Sequence, residues 1–121
     1  MNKILVVDDD ISINELIKIN LEMAGYEVFS ANDGVKGFAL CKQELPDLVI
    51  LDVMMPKING YKICRLLKFD TKYKNIPIVM VTARGQAQDI AIGEETGADE
   101  YITKPFEFNE LYEVIKKHLG E

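Results

Sequence analysis

The feature that most constrains this chain is an alternation. Five short apolar runs, Ile4–Val7, Val28–Ser30, Leu48–Leu51, Ile78–Val81 and Tyr101–Thr103, are separated by segments whose apolar residues recur at helical spacing. The first four runs are rich in Val and Ile and end in turn or polar residues, as buried strands do. The fifth takes its strand assignment from its position. Between them, Ile13, Leu16, Ile17, Leu21 and Ala24 follow the i, i+3, i+4 rule, and Gly25 closes that helix. Val35, Phe38 and Ala39 mark a second helix that ends before Pro46. Ile63, Leu66 and Leu67 mark a third after Gly60, Ile90 and Ala91 a fourth ended by Gly97, and Leu111, Val114, Ile115 and Leu119 a fifth. Strict β-α alternation predicts a parallel sheet with helices on both faces. The apolar strands show little in-out alternation, which agrees with a sheet covered on both sides.

With 121 residues the chain makes one domain, 1–121, able to bury a core without disulfides or a structural metal. Its formal net charge of −6 argues against nucleic acid as a direct partner, because phosphate binding needs a basic surface. Cys41 and Cys64 have no metal-binding spacing and read as reduced packing residues. Met1-Asn2-Lys3 leads straight into a strand-like run, so no signal peptide is visible. No apolar run approaches the roughly 20 residues of a membrane span. Together these features predict a cytoplasmic location with no membrane partner.

The ends of the strands carry the chemistry. The first ends in Asp8, followed by Asp9 and Asp10; the third ends in Asp52, the fourth in Thr82, and the fifth is followed by Lys104-Pro105. In a parallel sheet these ends share one edge, where open α/β sheets place their ligand sites. Three carboxylates, a hydroxyl and an ammonium from four distant segments should therefore converge. Clustered carboxylates repel one another, and a cation relieves the repulsion. Mg²⁺ suits a site of few carboxylates completed by waters and a phosphate. A carboxylate can also attack phosphorus to give an acyl phosphate, while a metal, a lysine and a hydroxyl serve the phosphoryl oxygens.

"ILVVDDD", "PDLVILDVMMPKINGYKI", "IPIVMVTA" and "GADEYITKPF" resemble the receiver domain of bacterial response regulators, the CheY-like family, over essentially the whole chain. "TARG" and "GADEYITKPF" further resemble the OmpR/PhoB-type transcription-factor branch. The resemblance implies a doubly wound, flavodoxin-like sheet of five parallel strands in the order 2-1-3-4-5 with five helices. It implies that Asp52 accepts a phosphoryl group from a histidine kinase or phosphotransfer protein. Asp9 would ligate Mg²⁺ directly with Asp52 and the backbone carbonyl of Met54, and Asp8 largely through a water. Thr82 would bond the phosphoryl group and Lys104 would pair with it, the Lys104–Pro105 bond being typically cis. Tyr101 would be the aromatic switch residue, turning inward as Thr82 moves. The surface of the fourth helix, fifth strand and fifth helix would then engage a downstream protein or an attached output domain, a DNA-binding winged helix being the first expectation. Met54 and Arg84 stand where the family controls water access to the acyl phosphate, and their bulk predicts a long-lived phosphoryl state. In the branch's phosphorylation-dependent homodimer, Ile90 and Val114 stand where arginines would be expected, so that set of contacts is incomplete. Asn59 replaces the usual aspartate in the loop after the site.

Blander readings compete. Asp10 or Ser12 fits a helix N-cap, Asp10 being the better candidate. Thr82 could be an ordinary β-branched strand residue, Lys104 a surface lysine, Tyr101 core or surface, and Met54 and Met55 core filling. His118, near the end of the last helix, favours the helix dipole, and Glu113, Lys116 and Lys117 read as a solvated face. As a function, the phosphorylation-controlled switch without external substrate turnover competes with a small Mg²⁺-dependent phosphohydrolase using an aspartyl nucleophile. Such hydrolases usually carry an Asp-x-Asp on the first strand, whereas here Asp8 and Asp9 are adjacent. A flavin or nucleotide module lacks a Gly-rich phosphate loop after the first strand. A degenerate receiver is disfavoured by the intact set of key residues.

Overall fold

The computed structural model describes residues 2–53, 55, 60–82 and 97–121. Five strands and four helices lie among them: β1 (Lys3–Val7), α1 (Ile11–Met23), β2 (Glu27–Ala31), α2 (Gly34–Glu44), β3 (Leu48–Asp52), α3 (Gly60–Lys68), β4 (Ile78–Thr82), β5 (Glu100–Thr103) and α4 (Phe108–Leu119). Each expected strand is present, lengthened by one or two residues. The helix expected around Ile90 and Ala91 lies outside the described residues, as do Met54, Asn59 and Arg84.

All strand pairs are parallel, in the order β2-β1-β3-β4-β5. Parallel neighbours need crossovers, and the order reverses between β1 and β3, which is where such sheets open a crevice. β3 and β4 are buried along their whole length, which explains runs without polar alternation. Side chains alternate between the two faces. One face sends Leu5, Val7, Val49, Leu51, Ile78 and Met80 against Cys41 of α2 and Ile63, Cys64 and Leu67 of α3. The other sends Ile4, Val6, Leu48, Ile50, Val79, Val81 and Ile102 against Ile17 and Leu21 of α1 and Leu111 and Ile115 of α4.

The helices exist where the periodicity places them, but three bury a shifted face. On α1 the buried residues are Asn14, Ile17 and Leu21, while Leu16 is exposed and Ala24 is the C-cap. On α2 they are Gly34, Gly37 and Cys41, whereas Val35 and Ala39 are exposed and Phe38 is half-buried. The cause is close packing: a Cβ on Gly37 would lie 2.7 Å from both Val7 methyl carbons. Only a glycine face brings α2 this near the sheet. On α3, Leu66 is exposed and Cys64 takes its place inside.

Asp10 caps α1, its carboxylate accepting from the Ile13 amide at 3.2 Å. Asp33 caps α2 in the same way through Lys36. Both cysteines are free and buried, and burial pushes the Cys41 thiol up to about 11, as suits packing rather than chemistry. Met55 is buried in the α2–α3 side of the core. Among the described residues no helix is long and apolar enough to cross a membrane.

Candidate functional site

Register places the site. Val7 of β1 pairs with Leu51 of β3, so Asp8 and Asp52 occupy adjacent positions at the carboxyl edge. Asp52 pairs with Val81, one residue before Thr82, and Thr82 pairs with Thr103, one residue before Lys104. The Lys104 amide donates to the Thr82 carbonyl at 2.7 Å. Alternation adds a finer distinction. Asp8, Asp52 and Lys104 continue the face of Ile4, Ile50 and Ile102, whereas Thr82 continues the face of Ile78 and Met80.

The ionised groups meet accordingly. Asp8, Asp9 and Asp52 each offer a carboxylate oxygen, all within 4.8 Å of one another. Lys104 Nζ lies 2.9 Å from Asp8 Oδ2 and 3.8 Å from Asp52 Oδ1, so in this state the lysine leans on Asp8 rather than on Asp52. The Lys104–Pro105 peptide bond is cis. Asp8 and Asp52 are buried, at 2% and 6% exposure, and Asp9 is exposed. Among the described residues, Lys104 thus contacts two of the three clustered carboxylates at the edge of an apolar sheet. Carboxylates gathered this closely repel one another where solvent screens poorly. The set is all oxygen, partly dry and open on one side, and this fits a hard divalent cation that keeps part of its water shell.

The remaining predicted residues fall as follows. Thr82 is buried at the end of β4. Tyr101 pairs in register with Met80, which pairs with Leu51, one position before Asp52, and packs half-buried against the α2–α3 side of the core. Met54 and Arg84 lie outside the described residues. On the α4 side, His118 Nε2 and Lys117 Nζ both contact Glu100 Oε1, at 3.2 and 2.7 Å. The Lys117 hydrogen bond leads in holding the Glu100 carboxyl below its usual value, with burial opposing. Lys117 is therefore more than part of a solvated face.

Gly60 matters to the site through space. A Cβ there would lie 2.2 Å from the Asp52 carbonyl oxygen, and the Gly60 amide donates to Val53 O at 3.0 Å. Glycine lets the start of α3 press against the strand end that carries Asp52. A cavity of about 360 Å³ lies beside the site between Ile13, Ile17, Lys104, Pro105, Phe106 and Phe108. Its wall carries no carboxylate, so the acidic group is not its floor.

One residue escaped the sequence reading. Four polar or charged residues are buried among the described ones: Asp8, Asp52, Thr82 and Asn14. Asn14 Nδ2 donates to Asp8 O at 3.0 Å and to Ala31 O at 2.8 Å. The signal was available, since Asn14 sits three residues before Ile17 and seven before Leu21 on the buried stripe of α1.

Comparison with known proteins gives one answer. The family model for the response regulator receiver domain matches residues 4–116. The DNA-binding dual master transcriptional regulator RpaA of Synechocystis is 50% identical over 111 residues, covering 92% of this chain and 46% of its own. The alkaline phosphatase synthesis transcriptional regulatory protein PhoP of Bacillus subtilis is 44% identical over 114 residues, covering 94% and 47%. The chain therefore spans about half the length of these curated relatives. Among solved structures, the chemotaxis protein CheY4 of Vibrio cholerae superposes with a TM-score of 0.93 at 34% identity, covering 98% of this chain and 99% of that one.

Proposed function

The chain belongs to the response regulator receiver family, and on that premise we propose that residues 1–121 act as one phosphoacceptor unit with Asp52 as the acceptor. A carboxylate oxygen of Asp52 attacks the phosphorus of a phosphohistidine on a histidine kinase or phosphotransfer protein. The P–N bond breaks, the imidazole leaves, and an acyl phosphate forms. Lys104 moves its charge from Asp8 toward the incoming phosphoryl oxygens, and the Thr82 hydroxyl donates to one of them. Asp8, Asp9 and Asp52, with the Met54 carbonyl that the family pattern adds, would hold Mg²⁺, which when bound would neutralise phosphoryl charge. The observation that carries this reading is three carboxylates within 4.8 Å of one another, two of them in contact with Lys104.

Phosphorylation adds about 1.5–2 negative charges and three acceptor oxygens at Asp52. Thr82 is drawn to them, Tyr101 follows inward, and the face built on β5 and α4 biases a pre-existing two-state equilibrium. A downstream protein or an attached output domain reads that face. The transcriptional regulators among the relatives make a DNA-binding output the first choice, with the present segment, at net charge −6, not itself touching DNA. Ile90 and Val114 leave a phosphorylation-dependent homodimer short of two basic contacts. The domain works in the cytoplasm and turns over no external substrate. Met54 and Arg84 lie outside the described residues; their positions in the family are those that control water access, and on that ground a long-lived acyl phosphate is expected.

The test is mass measurement after incubation with acetyl phosphate, with and without Mg²⁺, on the wild type and on Asp52→Asn. A Mg²⁺-dependent phosphoryl adduct on the wild type alone is expected, persisting well beyond seconds. An adduct that survives Asp52→Asn would sink the assignment. Excess acetyl phosphate consumed without any adduct would favour the phosphohydrolase reading.

A further inference from the structure

Among the described residues, three of the four buried polar side chains lie at the acidic site; the fourth, Asn14, is 2% exposed and sits on the core face of α1. An apolar side chain of the same size would suit that face. It would supply no donor to the two strand-end carbonyls that Asn14 joins, Asp8 O at 3.0 Å and Ala31 O at 2.8 Å. A third approach, to Asn32 Oδ1 at 3.4 Å, extends the tie into the loop after β2. The Asn14 amide itself donates to Asp10 O at 2.9 Å, so one residue joins the ends of β1 and β2 to the first turn of α1.

The consequence falls on Asp8. Its amide donates to Ala31 O at 3.2 Å and its carbonyl accepts from Asn14. Its Oδ1 accepts from the Asp10 amide and its Oδ2 from Lys104, both at 2.9 Å. Asp8 is thus held at four atoms, whereas Asp9, next in the chain, is exposed. The turn carrying both carboxylates faces Asp52 within 4.8 Å, and like charges at that range push it outward. A tie on the main chain opposes this push without neutralising any carboxylate, so the negative charge stays available to a cation.

We propose that Asn14 is a positioning residue for divalent-cation binding: it clamps the β1–α1 turn through the Asp8 carbonyl so that Asp8 and Asp9 stay aimed at Asp52. The proposal rests on the reading that these carboxylates hold Mg²⁺. Residues that orient ligands from behind typically change metal affinity by about 10–100-fold when replaced.

The experiment titrates the unphosphorylated full chain with MgCl₂, following the backbone amide resonances of Asp8, Asp9 and Asp52 by NMR. Asn14→Leu should raise the Mg²⁺ dissociation constant by about 10-fold or more, and the milder Asn14→Ser, a safeguard should the first variant not fold, by several-fold. Ile17→Ala serves as the control: it empties a core position one turn along the same helix, touches neither carbonyl, and should leave the constant within about twofold. Asn14 variants that bind like the wild type, or a control that weakens binding as much as they do, overturn the proposal and leave the cation reading standing. A wild type that binds no Mg²⁺, or an Asp52→Asn variant that binds as well as the wild type, overturns the cation reading and this inference with it.

Discussion

The two edges of the sheet both carry ion pairs, yet among the described residues only the carboxyl edge gathers three carboxylates together. At the amino edge Lys68 reaches from α3 to Asp99, just before β5, at 2.6 Å. Its other donors go to Ile76 O at 2.8 Å and Lys74 O at 3.1 Å, which uses the three N–H groups of an ammonium. Asp99 Oδ2 also accepts from the Ile78 amide at 2.8 Å. Nearby, the Lys3 amide donates to Asp47 Oδ2 at 2.7 Å. At the Lys68–Asp99 pair one cation meets one anion, and neighbouring groups of the fold take up the remaining hydrogen bonds. At the carboxyl edge three carboxylates lie within 4.8 Å of one another, and among the described residues Lys104 contacts two of them. A one-to-one pair braces a fold; a cluster of like charges suits a cation.

The sharpest way to break this comparison is to remove one charge from each edge and compare signs. Lys68→Met should cost about 2 kcal/mol, because it leaves Asp99 and two carbonyls without their shared donor. Urea unfolding at pH 7 in the presence of EDTA measures it, and a loss near zero would mean the amino edge is no brace. Asp52→Asn, measured identically, should stabilise the protein by about 1 kcal/mol, since it relieves repulsion inside a partly dry cluster. Destabilisation there would mean that the carboxyl edge is already balanced.

The smallest effect concerns Tyr26, again at the amino edge, whose hydroxyl donates to Glu121 Oε2 at 2.8 Å. Burial first, and then that bond and the charge of Glu121, raise its pKa from 10.0 to about 12. The neutral phenol is thus favoured in the fold. Its contribution is complete below pH 10 and is lost as pH rises from 10 toward 12. The stability advantage of wild type over Tyr26→Phe should therefore shrink across that window and stay constant below it. A difference that does not change with pH would mean that neither burial nor Glu121 raises the Tyr26 pKa in the fold.

Much of the site was legible because strand ends are legible. An apolar run that stops on Asp8 or Asp52 marks both the strand and its edge, and parallel topology then brings distant edges together. The Asp10 cap was readable for a similar reason: a short acceptor side chain before a periodic run has a local partner. The helix faces were less readable. Leu16, Val35 and Leu66 have the right spacing and hydrophobicity, but each lies on the exposed side. Periodicity reports a stripe, while the edge of the stripe that meets the sheet depends on how close the helix comes. On α2 the glycine at 37 decided it, pressed against Val7, and propensity reasoning scores glycine as a helix defect rather than a contact.

What the amino-acid sequence determined by itself is the alternation, hence the parallel sheet, and the residue types at its carboxyl edge. What only the tertiary structure decided is how those types are partnered. Lys104 sits nearer Asp8 than Asp52, Gly60 presses on the Asp52 carbonyl, and Asn14 ties two strand ends from inside the core. The physical reason is range. Hydrophobic period and turn chemistry act between neighbours in the chain. The balance of buried charges and hydrogen bonds is set between residues such as Asp8 and Lys104, which meet only once the whole sheet has formed.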